Sequence, residues 1–165
     1  MTRQFIRSLR ALDHNLEKAI HHAEAKKFDP DNFCTARLAP DMFPLTRQVQ
    51  VACDVAKRIV SALSGREAPV HEDTERTMAE LRARVAKCLA YLETITPDDF
   101  AKVTPTTLVK VPNPPGKVMY APDALLARSV PNFFFHVTTA YGLLRKGGVE
   151  LGKRDYLGDV PMIDG

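Results

Sequence analysis

An all-α four-helix bundle is the fold this sequence predicts, and three observations lead there. Apolar residues recur at steps of three and four over three long segments, the period of a helix with one buried face. A fourth segment, towards the C-terminus, is apolar nearly all round, as in a helix packed on several sides. Each segment is about 20 residues long, so all four can share one core. The 165 residues, 45% hydrophobic and 26% charged, suffice for a single domain over 1–165. A chain of that size buries about two-thirds of its unfolded surface.

The first helix is expected over residues 2–27, with Phe5, Leu9, Leu12, Leu16, Ile20 and Ala23 on one face. Arg3, Arg7, Arg10, Asp13, Glu17 and Lys18 fall mostly away from it. Residues 28–40 (FDPDNFCTARLAP) break the period, and Phe28, Phe33 and Leu38 are expected to pack over the bundle. Asp41 is the expected N-cap of the second helix, with Pro44 in its first turn. That helix runs to Ser64 with Leu45, Val49, Ala52, Ala56, Ile59, Val60 and Leu63 inward, and Gly65 closes it. After the linker REAPVHED a third helix is expected from Thr74 to Ile95, capped by Asp73 or Thr74. Its inner face is Met78, Leu81, Val85, Cys88, Leu89 and Leu92.

Residues 96–121 form an irregular arm. The β-prone runs TPTTLVKV and KVMYAP flank NPPG, which predicts a hairpin or extended arm across one end of the bundle. The fourth helix is expected from Pro122–Asp123 to Gly147–Gly148, kinked or split at Pro131. Residues 149–165 are a polar, glycine-containing tail.

Composition excludes several classes of function. There is no run of about 18 apolar residues, so no membrane span is expected. The opening MTRQFIRSLRALDHNLEK is charged at helical spacing and lacks the apolar core of a signal peptide, which predicts a cytoplasmic protein. Cys34, Cys53 and Cys88 are odd in number and read as reduced core thiols, with no disulfide framework or zinc knuckle. The formal charge is +3, but basic and acidic residues are interspersed and no window holds five like charges in a row. Nucleic acid is not an expected partner.

The histidines are the first candidates for chemistry. His14 and His21 lie opposite the apolar stripe of the first helix, His22 at its edge, and His71 in the polar linker. His136 differs, because it sits beside the stripe Phe133, Val137, Ala140 and Leu144. A buried imidazole needs a partner. It is either a neutral structural histidine or a ligand or general base facing an internal cleft. A metal site needs further donors, yet Ala140 stands one turn on and neither His-x-x-x-His nor Glu-x-x-His occurs. Gln48 and Glu75 only flank their stripes. The glycines at 147, 148, 152 and 158 follow a helix, where a phosphate loop would open one. The terminal GKRDYLG either binds an acidic ligand or folds back on the bundle. The candidate pocket is therefore His136, Gln48, Tyr141, Lys153, Arg154 and Asp155, with catalytic residues unassigned and His136 the one candidate ligand.

The stretches PNFFFHVTTAYGLLRKGGVELGKRDYLG and DMFPLTRQVQVACDVAKRIVSALSG, with the opening amphipathic helix, resemble a bacterial family of unknown function. That family is grouped with the DinB/YfiT-like four-helix proteins, and the likeness covers essentially the whole chain. The resemblance implies an up-down-down-up bundle with a long, partly extended connection before the last helix, often assembled as a homodimer. Members of the wider group often hold zinc or nickel with three histidines, one from the second helix and two from the fourth at i and i+4. Some are thiol-dependent transferases or isomerases. Here only His136 matches a fourth-helix ligand, and residues 42–64 contain no histidine.

Two readings follow. The first is a homodimeric protein with a ligand-binding or structural role, no cofactor and a small molecule as its ligand. The second is a metal- or thiol-dependent transferase or hydrolase using a pocket around His136, with zinc or nickel as cofactor. The dimer has a second motive. Phe134 and Phe135 point about 100° and 160° away from the inward stripe of their helix. Either the 96–121 arm or a second copy must cover them.

Overall fold

The computed structural model describes residues 1–163 and Gly165. Helix α1 (Thr2–Lys26) buries Phe5, Leu9, Leu12, Leu16, Ala19 and Ala23, while Ile20 turns to the edge. A short 3-10 helix (Pro30–Thr35), capped by Asp29, leads towards α2 (Leu45–Ser64), and Gly65 ends α2 in the left-handed conformation at φ 71°. Helix α3 spans Met78–Glu93. Strands β1 (Leu108–Lys110) and β2 (Val118–Tyr120) pair antiparallel with Val109 opposite Met119, the hairpin expected of the arm. Helix α4 (Val130–Lys146) follows one α turn (Ala121–Asp123) and a wide π turn (Ala124–Ser129). A short α5 (Lys153–Leu157) lies in the tail.

The bundle is up-down-down-up and close to a four-membered ring. Helix α1 packs on α3 and α4, α2 packs on the same two, and α1 and α2 lie across the diagonal. Phe5 and Phe133 meet edge to face at 4.8 Å in the shared core. Each fully buried Leu or Phe contributes about 1.5–3 kcal/mol against leaving it in water. Val109, Ala121, Val149 and Leu151 extend the core from the arm and the tail.

Four local expectations are corrected. Leu38 is 51% exposed, whereas Phe33 is buried and Phe28 packs partly against the core. Asp41 is exposed and does not cap α2, which begins at Leu45 with Pro44 in the capping position. The Leu45 N–H donates instead to the Ala36 carbonyl at 2.9 Å. Helix α3 starts four residues late: Thr77 is its cap, accepting from the Glu80 N–H at 3.1 Å while the Glu80 carboxylate accepts from Thr77 N–H at 3.0 Å. Pro131 does not split α4; its missing N–H is absorbed where the π turn widens the helix, and Ser129 Oγ donates to the Ala124 carbonyl at 2.7 Å.

Residues 66–77 stay out of helix because their acidic side chains are recruited to a buried cation. The Arg84 side chain is fully buried. Its guanidinium meets Asp54 at 2.7 Å, Asp73 at 2.9 Å and Glu75 at 3.0 Å. Asp73 takes a left-handed backbone (φ 55°) to reach it. Arg47 also pairs with Asp73, and Gln50 donates to Glu75 at 2.9 Å. Beside this cluster Lys57 Nζ donates to the Pro69 carbonyl (2.9 Å) and to His71 Nδ1 (3.0 Å) and pairs with Asp54 (3.1 Å). Burial, then the Arg84 and Lys57 charges, hold His71 below its usual pKa, so it accepts as a neutral ring.

Removing one member of a buried ion cluster strands the others, at a cost of about 3–5 kcal/mol. Arg84→Ala is therefore expected to lose about that much in urea unfolding. Burial pushes Asp73 and Glu75 up, but for Asp73 the Arg47 and Arg84 bonds outweigh it. For Glu75 its own backbone N–H, Gln50 and Arg84 do so, and both carboxylates lie below the usual range. A lowered folded pKa contributes stability above the unfolded value that is lost as pH falls through the folded one. The wild type should thus lose stability below the ordinary carboxylate range, near pH 4, with a steeper slope than Arg84→Ala.

Candidate functional site

The first turn of α2 carries Gln48, completely buried, against His136 in the first half of α4. Gln48 Nε2 donates to the Phe43 carbonyl at 3.0 Å, so its Oε1 faces the ring. His136 Nδ1 lies 2.7 Å from that oxygen. An amide oxygen only accepts, so Nδ1 carries the proton and Nε2 holds the free lone pair. Nε2 has no hydrogen-bond partner among the described residues and is not sealed from solvent. Burial and then the Arg47 charge push the His136 pKa down. Phe135, 54% exposed, sets its ring edge to face with His136 at 5.2 Å, and Phe43, 51% exposed, lies under Arg47.

The six candidate residues fall in two places. His136 and Gln48 form one. Tyr141 is five positions beyond His136, about 140° round the helix, and packs on Tyr156 of α5 at 5.6 Å. Thr138 and Tyr156 share a hydroxyl hydrogen bond of 2.8 Å. Asp155 accepts from the Gly152 N–H at 2.7 Å, pairs with Lys18 of α1 at 3.0 Å and lies 3.6 Å from His14. These bonds hold the Asp155 carboxyl below its usual range, the Gly152 N–H first. Lys153 and Arg154 are exposed on the same turn. The tail thus folds back on α1 and α4. Of the other histidines, His14 and His21 are exposed, and His22 packs its ring on Phe28 at 6.0 Å.

Sequence reasoning did not single out Arg84, whose burial depends on carboxylates from two separate segments, α2 and the connection before α3. Glu75, placed beside a stripe, belongs to that cluster. Cys34, Cys53 and Cys88 are free and buried. Burial raises the Cys34 thiol, and contact with Cys88 followed by burial raises Cys53, which disfavours both as nucleophiles.

The helix order and packing are those of a DinB-like four-helix bundle. It matches the domain of unknown function DUF1993 over residues 1–157 and belongs to that family. A solved DinB family member from Shewanella denitrificans is 45% identical, covers 100% of this chain and 93% of its own, and superposes with a TM-score of 0.91. No curated protein matches the chain.

The three-histidine metal of the wider group does not fit these residues. Gln48 has both ends of its amide engaged, Ala140 offers no donor one turn from His136, and α2 has no histidine. Among the described residues no three His, Cys, Asp or Glu side chains gather to hold a metal ion.

His136→Ala is expected to lose about 1–3 kcal/mol of stability, from the stranded Gln48 oxygen and a small cavity. An unchanged melting temperature would contradict a structural role. Nitrogen NMR should show the Nδ1–H form and a His136 pKa below the usual histidine value near 6.5. With the folded pKa lowered, its share of stability is present above pH 6.5 and lost as pH falls through the folded value.

Proposed function

We propose that this chain holds a small-molecule ligand without turning it over and works without a bound transition metal. The observation that carries this reading is the buried 2.7 Å hydrogen bond between His136 Nδ1 and Gln48 Oε1. It gives the imidazole a protein partner and leaves a single nitrogen with no second donor at hand among the described residues, too little for tight metal binding. Among the described residues no set of nucleophile, base and oxyanion donors assembles around it. Three reduced, buried cysteines support a cytoplasmic setting.

The protein acts as a homodimer in this reading. The 54% exposed Phe135 and the 51% exposed Phe43 are large apolar side chains that a second copy would cover. An isologous interface there would bring two Gln48–His136 pairs towards each other. The competing reading, an enzyme around His136, draws on the same open Nε2, which could serve as a base.

Protein purified without a histidine tag should carry far less than one zinc or nickel per chain by elemental analysis. Stoichiometric metal that survives dialysis and disappears in His136→Ala would refute the proposal and favour the enzyme. Light scattering at micromolar concentration should give twice the chain mass of 18.4 kDa. Phe135→Asp should return the mass to that of one chain.

A further inference from the structure

Arg3, Arg7, Arg10 and His14 recur along α1 at steps of four, three and four, so they share one helical stripe. Across from them stand Arg154 of α5 and the residues after it, and the two walls enclose a groove of about 1060 Å³. That is the upper end of the size of small-molecule sites. Ile6, Leu157, Val160 and Met162 give the groove apolar lining.

The charges in this groove are not balanced. Arg10 is paired with Glu93 at 2.8 Å, and Asp155 is engaged by Lys18 and His14. Among the described residues Arg3, Arg7 and Arg154 have no carboxylate partner, against a single unpaired carboxylate, Asp159, on the lining. Arg7 Nε is buried and lacks an acceptor among the described residues. A buried N–H of that kind is costly unless something accepts from it. Arg3 and Arg7 are also one turn apart, and like charges at that spacing repel. They sit at the start of a helix with no acidic residue in its first turn and no side-chain cap, where the helix dipole is already positive. A bound anion relieves the last two penalties together.

The groove is also held in shape. Lys18–Asp155 and Thr138–Tyr156 fix α5 on α1 and α4. Gly158, at φ 64°, brings its backbone so close to α1 that an added Cβ would lie 3.2 Å from Ala11 Cβ. Arg154 is thus presented to α1 by a firm support.

We infer that this groove binds a small amphiphilic anion, an acidic head group on an apolar body. The head lies among Arg3, Arg7 and Arg154, and the body lies on Ile6, Leu157 and Val160. A concave groove with apolar lining beside its arginines suits such a molecule better than inorganic phosphate or a flat membrane surface. The assignment deepens the ligand-holding reading above and rests on it for its biological sense.

Calorimetric titration of the full chain with decanoate is the test. One decanoate per chain should bind, more weakly as salt rises. Arg7→Ala and Arg154→Ala should each weaken it about tenfold or more, the loss of one charge-assisted hydrogen bond. Arg154 is exposed on α5, so its replacement leaves the core intact, and Arg7→Lys should recover part of the affinity. Decanol and inorganic phosphate, each carrying half of the recognised chemistry, should bind at least about tenfold more weakly than decanoate. Absence of saturable binding, indifference to both arginines, or equal binding of decanol or phosphate would overturn the inference. Stoichiometric metal or turnover at His136 would instead sink the non-catalytic reading and leave the groove standing.

Discussion

Burying a guanidinium is among the more expensive things a small protein can do, and this one surrounds Arg84 with carboxylates to make it tolerable. The consequence is geometric more than energetic. Asp54 comes from α2, Arg84 from α3, and Asp73 and Glu75 from the extended segment between them. One cation therefore sets how far α2 slides along α3 and where the connecting chain runs. Since α2 also bears Gln48, the position of the amide against His136 depends on the same anchor. Replacing such a cluster with apolar side chains of equal volume often costs little stability. What it would remove here is the reason for residues 66–77 to cross the helices along one path.

The Gln48–His136 pair shows how a familiar architecture accommodates a different set of side chains. A metal needs several lone pairs converging on one point. The DUF1993 chain has one imidazole in the relevant region, and its inner nitrogen is already donating to an amide. Gln48 is polarised in turn by its bond to the Phe43 carbonyl, so backbone, amide and ring form a short relay with fixed proton positions. The fold is retained because it depends on the apolar stripes of four helices, and none of those stripes requires the metal. Fold and chemistry are separable here.

Much of the architecture was legible in the chain because it rests on periodicity. The stripes of α1, α2 and α3 and the closing Gly65 follow from residue spacing alone, and the hairpin follows from two β-prone runs about a Pro-Gly turn. Boundaries were less legible where two residues of the same type competed. Thr74 and Thr77 are both good caps, and only Thr77 has Glu80 three residues on to complete the reciprocal bond. That signal was present in the sequence; the pull of Arg84 on Asp73 and Glu75 was not. His136 could be marked as needing a partner, but choosing Gln48, 88 positions away, requires the docking of α2 on α4. Arg84 reads as an ordinary surface arginine until three distant carboxylates are seen to converge.

Helix α5 joins the two ends of the fold in space. Lys18 and Asp155 are 137 positions apart, and a Cβ added at Gly158 would lie 3.5 Å from Arg7. On the ribosome α1 emerges first and must wait for nearly the whole chain before these contacts can form. Loop closure over such a span is slow relative to local helix formation. The bundle helices can pair earlier through shorter-range contacts, so the wall made by α5 is assembled last. Until then the arginine stripe of α1 faces water, exposed to any anionic chain nearby, and the fold acquires its groove only as synthesis of this region ends.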